Sequence, residues 1–222
     1  MKENRKSEEM ERRFFPVTEF RAVTDDKGIR HIVGHAAVFN TLSEDMGGWR
    51  ERILPGAFTR AIKENDVRAL WNHNSDIVLG RSKNTKNRTL LLSEDNEGLG
   101  TDILPPDTQF VKDMVLTPID RGDVDKMSFG FMVRVYPDGT RGVRWVVENG
   151  EDIRELLDLE LFDVSPVTFP AYPDTEVGLR SLEEHRKTAS PSNGDGGGGL
   201  DPAIMNGLLA AEEEQLRLKI NC

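Results

Sequence analysis

Met127-Ser128-Phe129-Gly130-Phe131-Met132-Val133-Arg134-Val135, followed by Pro137-Asp138-Gly139, decides the fold class. Apolar residues fall at every second position from Met127 to Val135, with Ser128 and Gly130 between them. That is the two-residue period of a strand. Pro-Asp-Gly then supplies turn chemistry. The same grammar repeats in both directions. Downstream, residues 143–148 read as a returning strand, Asn149-Gly150 as a hairpin turn, and residues 157–168 as the last long strand, ended by Pro170. Upstream, residues 14–23 and 29–40 read as a hairpin around Asp25-Asp26-Lys27-Gly28, with Gly34 suggesting a bulge. Residues 67–71, 77–81, 89–94 and 99–104 read as further short strands. Two helices interrupt them. One opens at Pro55 and runs to about Asn65. The other is capped by Asp107 and runs to about Thr117, with Phe110, Val111, Met114 and Val115 on one face. The prediction is an α+β, mainly β fold: a closed β-barrel of short, mostly antiparallel strands surrounded by helices.

The chain has 222 residues, enough for one domain with tails. Residues 1–13 read as a charged arm, disordered or helical. Residues 14–187 form the domain, 188–200 a Ser/Gly-rich linker, and 201–222 a short amphipathic helix opened by Asp201-Pro202. The formal net charge of −10 argues against a general nucleic-acid partner. No apolar run reaches the ~20 residues needed to span a bilayer, and the charged start lacks a signal-peptide stretch, which predicts a cytosolic protein. The one cysteine, Cys222, cannot build a disulfide framework. His31 and His35 are four apart, but on an alternating strand they read as strand histidines rather than metal ligands. No cofactor and no metal are expected.

Two segments carry the candidate chemistry. Trp71-Asn72-His73-Asn74 puts a histidine at the end of an apolar run, and Lys126–Phe131 puts Ser128 between apolar residues. A serine hydroxyl becomes a competent nucleophile when an imidazole takes its proton. On its own, Ser128 reads as a small polar strand residue and His73 as a strand-end histidine. If the fold joins them, the chain is a serine hydrolase. Asp163 shares the strand parity of Leu159 and Leu161, and a carboxylate on an apolar face needs a partner. That partner is either His73 or an arginine. The charged run 151–160 reads as a solvated face, and Trp49 and Arg50 as a possible border of the cleft.

The ordered series is more specific than any one motif. It comprises Gly34-His35-Ala36-Ala37-Val38-Phe39-Asn40, Ile53-Leu54-Pro55-Gly56-Ala57-Phe58, Leu70-Trp71-Asn72-His73-Asn74, Leu79-Gly80-Arg81, Gly98-Leu99 and Ile119-Asp120-Arg121-Gly122. It continues with Met127-Ser128-Phe129-Gly130-Phe131 and the run from Leu161 to Pro173. Over residues 15–180 it resembles the prohead (capsid maturation) proteases of tailed bacteriophages. That resemblance implies the fold of the herpesvirus assemblin proteases, a closed barrel with helices around it. It implies cleavage of the major capsid protein, its scaffold segment and the protease itself, in the host cytoplasm inside the assembling procapsid, with a homodimer possible. By resemblance His73 is the general base and Ser128 the nucleophile. The family's third residue is the glutamate of Leu-x-Glu-Val-Ser. Here that slot holds Asp163, one methylene shorter, with Glu160 the nearby alternative. Backbone N–H groups near the late strand and Arg121 are the candidate oxyanion donors. The competing reading is a non-catalytic capsid-assembly or scaffolding protein on the same barrel. An esterase is disfavoured by the lack of a Gly-x-Ser-x-Gly elbow at Ser128.

Overall fold

A computed structural model describes residues 10–14, 20–84, 86–169, 182–183 and 185–187. One compact unit spans residues 1–180. The expected helix at 201–222 and the 188–200 linker lie outside the described residues.

Among the described residues twelve strands form three open sheets, and none closes into the expected barrel. The first sheet has the order β1 (Glu11–Phe14), β9 (Lys126–Val133), β12 (Leu159–Val167), β5 (Arg68–Trp71), β6 (Asn74–Arg81). The second is β10 (Val143–Glu148), β11 (Glu151–Leu156), β4 (Trp49–Ile53), and the third β2 (Arg21–Thr24), β3 (Arg30–Val38), β8 (Gly98–Ile103), β7 (Leu90–Glu94). A barrel needs a continuous ladder across the gap between β6 and β7. There the backbone bond is one long contact, Thr89 N–H to the Arg81 carbonyl at 3.4 Å, while the Arg81 N–H goes to the Thr89 hydroxyl instead. A side chain takes the place of a carbonyl, so the ladder stops. Among the described residues one isolated β-bridge, Phe39 to Ile53, links the third and second sheets.

Local readings differ from the structure in instructive places. The bulge in β3 falls between His35 and Ala37, two residues after Gly34. Thr108, not Asp107, caps the second helix, accepting from Val111 N–H at 3.3 Å. That helix continues past Thr117 as α2 (Gln109–Val111), a π turn (Lys112–Leu116) and α3 (Thr117–Arg121). Pro118 has no N–H to donate and crowds the preceding turn, and a wider turn accommodates it. The extra residue rotates the buried stripe to Val111, Val115, Leu116 and Ile119 and leaves Phe110 and Met114 exposed.

The core lies on one face of β9. Met127, Phe129 and Phe131 are fully buried, and Phe58, just before α1 (Thr59–Glu64), packs edge-on to Phe129 at 5.5 Å. Each such side chain contributes about 1.5–3 kcal/mol of burial. Thr101 of β8 reaches Met127 Sδ at 3.6 Å, so the third sheet covers this face. Trp49 does not border a cleft: it is buried against Trp145, 5.2 Å between ring centroids. The run 151–160 is not a solvated face either, since Ile153 to Leu156 are buried, Arg154 and Glu155 included. Both charges are paired: Glu155 with Arg52 and Arg144, and Arg154 with Glu11 and Glu51. Charged residues are tolerated inside when each has its counter-ion.

Glu11, Arg12 and Arg13, expected in the charged arm, lie in β1, an edge strand antiparallel to β9.

Candidate active site

Three adjacent strands and one turn assemble the site. β9 presents Ser128, and β12 pairs with it antiparallel so that Ser165 lies opposite Ser128 and Asp163 opposite Gly130. Directly opposed residues share a face. Ser128, Gly130, Asp163 and Ser165 therefore project together, on the face opposite Phe129 and Phe131.

The parity reading of Asp163 is corrected by a bulge. Leu161 pairs with Phe131 and Asp163 with Gly130, leaving Phe162 as an extra residue on β12. One unpaired residue reverses the facing of everything after it. Leu159 and Leu161 point to the core, and Asp163 points to the other side. Phe162 itself is 38% exposed.

His73 arrives from the β5–β6 hairpin. Trp71 pairs with Asn74, and Asn72-His73 is the two-residue loop, at φ +53° and +55°. Two positive φ values are the primed turn that suits a hairpin's twist. Asn accepts that conformation readily, whereas histidine is held in it at a cost of about 1–2 kcal/mol. Asn72 anchors the loop. Its N–H donates to the Pro166 carbonyl at 3.0 Å, its Oδ1 accepts from Thr168 N–H at 2.8 Å, and its amide nitrogen meets Thr168 Oγ1 at 3.3 Å. The loop is thereby clamped to the end of the strand that carries Asp163.

The imidazole is engaged on both nitrogens. Nδ1 lies 2.6 Å from Asp163 Oδ1, and Nε2 lies 2.7 Å from Ser128 Oγ. A carboxylate can only accept, so Nδ1 carries the proton and Nε2 offers its lone pair to the serine. Ser165 Oγ donates to the same Asp163 oxygen at 2.7 Å. Ser128 and Ser165 are fully buried, and the His73 and Asp163 side chains are each 7% exposed. The family model of the caudovirus prohead serine protease matches residues 17–188. The chain belongs to that family. No curated protein and no solved structure matches it.

Glu160, the alternative third residue, is elsewhere. It is partly exposed and faces Arg134 at 3.6 Å. Arg121 is exposed on α3 and pairs with Asp123 at 3.0 Å. His31 faces Asp102 of β8 at 2.7 Å, and His35 faces Asp95 in the β7–β8 turn at 2.8 Å.

Sequence reasoning assigned no role to Ser165 or Gly130. Ser165 is two residues beyond Asp163, so strand parity alone puts it on the same face. Gly130 is explained by close approach: a Cβ there would overlap Asp163 Oδ2 and lie 3.3 Å from its Cγ. The glycine leaves room for the carboxylate. A third residue was also missed. Ser128 Oγ is 2.9 Å from the backbone carbonyl of Arg13.

Among the described residues no helix is long and apolar enough to cross a membrane.

Proposed function

We propose that this prohead-family chain is an endopeptidase with Ser128 as nucleophile, His73 as general base and Asp163 as the residue that orients the imidazole. Its substrates are the capsid protein, the scaffold segment of the assembling procapsid, and the chain itself. The observation that supports this reading is the doubly engaged imidazole, 2.6 Å from a carboxylate and 2.7 Å from a hydroxyl.

In that scheme Ser128 Oγ attacks a peptide carbonyl while Nε2 takes its proton. The imidazolium that forms faces Asp163, which Ser165 holds in place. Nε2 then returns the proton to the leaving amine. Water repeats the sequence on the acyl-enzyme. Asp163, in the slot of the family's Glu, lies opposite Gly130, which leaves room for its carboxylate.

Co-expression of the parent chain or Ser128→Ala with a capsid-protein substrate tests the reading. Cleavage products with the parent and none with the variant are expected, together with fluorophosphonate labelling at Ser128. Equal cleavage in both, or labelling at another residue, refutes the assignment. Absence of both cleavage and labelling in the parent points instead to the non-catalytic assembly role.

A further inference from the structure

A protease that reads extended peptides often does so by adding them as a strand to an exposed sheet edge. In this fold the strand that carries Ser128 has such an edge, and it is occupied by the chain's own β1. Phe14 is opposite Ser128, and the carbonyl 2.9 Å from the Ser128 hydroxyl belongs to Arg13. The Ser128 hydroxyl donates to that carbonyl oxygen, which places the Arg13–Phe14 peptide bond beside it. Ser128 has one hydroxyl proton and two acceptors, Arg13 O and His73 Nε2.

Alternate side chains of β1 enter a charged pocket on the opposite face. The Arg13 guanidinium donates to Glu51 at 2.9 Å and to Glu11 at 2.6 Å, and lies 5.6 Å above the Phe131 ring. Arg154 donates to Glu11 at 2.8 and 3.0 Å and to Glu51 at 3.0 Å. All four side chains are at most 3% exposed. Two acids and two guanidinium groups balance. The Glu51–Arg154 bond needs nothing from β1, so the pocket keeps an internal pair when β1 leaves. It then offers a carboxylate to a cation and a guanidinium to an anion two residues earlier.

We infer that β1 is the enzyme's own first substrate, bound in cis and cut at the Arg13–Phe14 bond, and that the groove takes extended peptides of the pattern acidic-x-basic before the cut. The inference rests on Ser128 being the nucleophile. Ser128 Oγ bonds to the Arg13 carbonyl carbon as its proton passes to His73 Nε2. The C–N bond to Phe14 breaks, and the Phe14 nitrogen takes that proton, leaving Arg13 as an ester on Ser128. Water adds to the ester carbon and gives one proton to His73. The C–Oγ bond breaks, Oγ recovers that proton, and the Arg13 carboxyl leaves as a carboxylate, its own proton going to solvent. The freed edge of β9 is then open to a capsid or scaffold segment.

Intact-mass analysis and N-terminal sequencing of the purified full chain, followed over time, test this. The expected result is a species beginning at Phe14, formed by the parent and absent from Ser128→Ala. Arg13→Ala slows its formation at least 10-fold and Arg13→Lys largely restores it. Because Arg13→Ala also breaks a buried network, a synthetic peptide of residues 9–17 is assayed in parallel with processed enzyme, and cleavage after its arginine is expected. A parent chain that cleaves the capsid substrate while residues 1–14 stay intact, or that cuts itself only elsewhere, overturns the inference and leaves the proposed activity standing. A parent chain that neither cleaves that substrate nor labels with fluorophosphonate overturns both.

Discussion

Gly130→Ala is the sharpest test of how the site is held. The added methyl group would lie 3.3 Å from Asp163 Cγ and overlap its Oδ2. Both strands are in register here, with Gly130 and Asp163 as direct partners, so neither backbone yields easily. The carboxylate must retreat by about 1 Å to reach ordinary contact in a close-packed interior. Its Oδ1 holds His73 Nδ1 at 2.6 Å and Ser165 Oγ at 2.7 Å. A shift of about 1 Å carries both beyond hydrogen-bonding distance. The imidazole then loses its orientation, and a misplacement of this size costs about 100-fold in rate. That is about 2.7 kcal/mol of transition-state stabilisation. Overpacking lowers stability by about 1–3 kcal/mol in addition. The assay is kcat/KM on a capsid-derived peptide, at a temperature where circular dichroism shows the variant folded. Fluorophosphonate labelling at Ser128 should slow in parallel. A folded Gly130→Ala variant with parental kcat/KM would refute the argument that Asp163 acts from this position.

Three further outcomes follow from the geometry. Asn72→Gly keeps the positive φ but removes the clamp to Thr168; kcat is expected to fall about 10-fold with KM little changed, because the loss is one of positioning. Insertion of one alanine between Phe162 and Asp163, with no second bulge to absorb it, shifts the pairing by one and turns Asp163 toward the core; activity should vanish and chemical denaturation should show a loss of about 3 kcal/mol or more, the cost of burying an unpaired charge. The third outcome concerns acid. Burial pushes the Glu11 carboxyl up, but Arg154 and Arg13 outweigh it and hold it below its ordinary value of 4.5. A carboxyl lowered in the folded state contributes stability above its ordinary value and loses it as pH falls through the lowered one. In Ser128→Ala, hydrogen-exchange protection of the β1 amides should therefore hold at neutral pH and decline below 4.5.

The strands and turns were legible because alternation and Asn-Gly or Pro-Asp-Gly signals are local. The β10–β11 hairpin at Asn149-Gly150 is an example. Closure was not legible, because it depends on whether two edges separated in the chain complete a ladder. At the β6–β7 gap the Thr89 hydroxyl, rather than a carbonyl, takes the Arg81 N–H. The candidate trio came from motif order rather than from spacing, and its three members are hydrogen-bonded neighbours. What alternation could not reveal was the face of Asp163, since a single inserted residue reverses it without changing composition. Glu11, Arg13 and Arg154 were misread for a related reason. Charge in a sequence signals solvent unless its counter-charge is known, and here the counter-charges come from strands as many as 143 residues away.

The unpaired residue in β12 has a consequence for how this sequence tolerates change. Upstream of Phe162 the odd positions Leu159 and Leu161 face the hydrophobic interior, and downstream the odd positions Asp163 and Ser165 face the side that holds His73. Gains or losses of one residue in the loops on either side leave that division intact. One more residue between Leu161 and Ser165, with no second bulge to absorb it, exchanges the two faces, whereas loss of Phe162 only straightens the strand. Length variation among functional relatives should therefore avoid that short interval even where individual side chains drift.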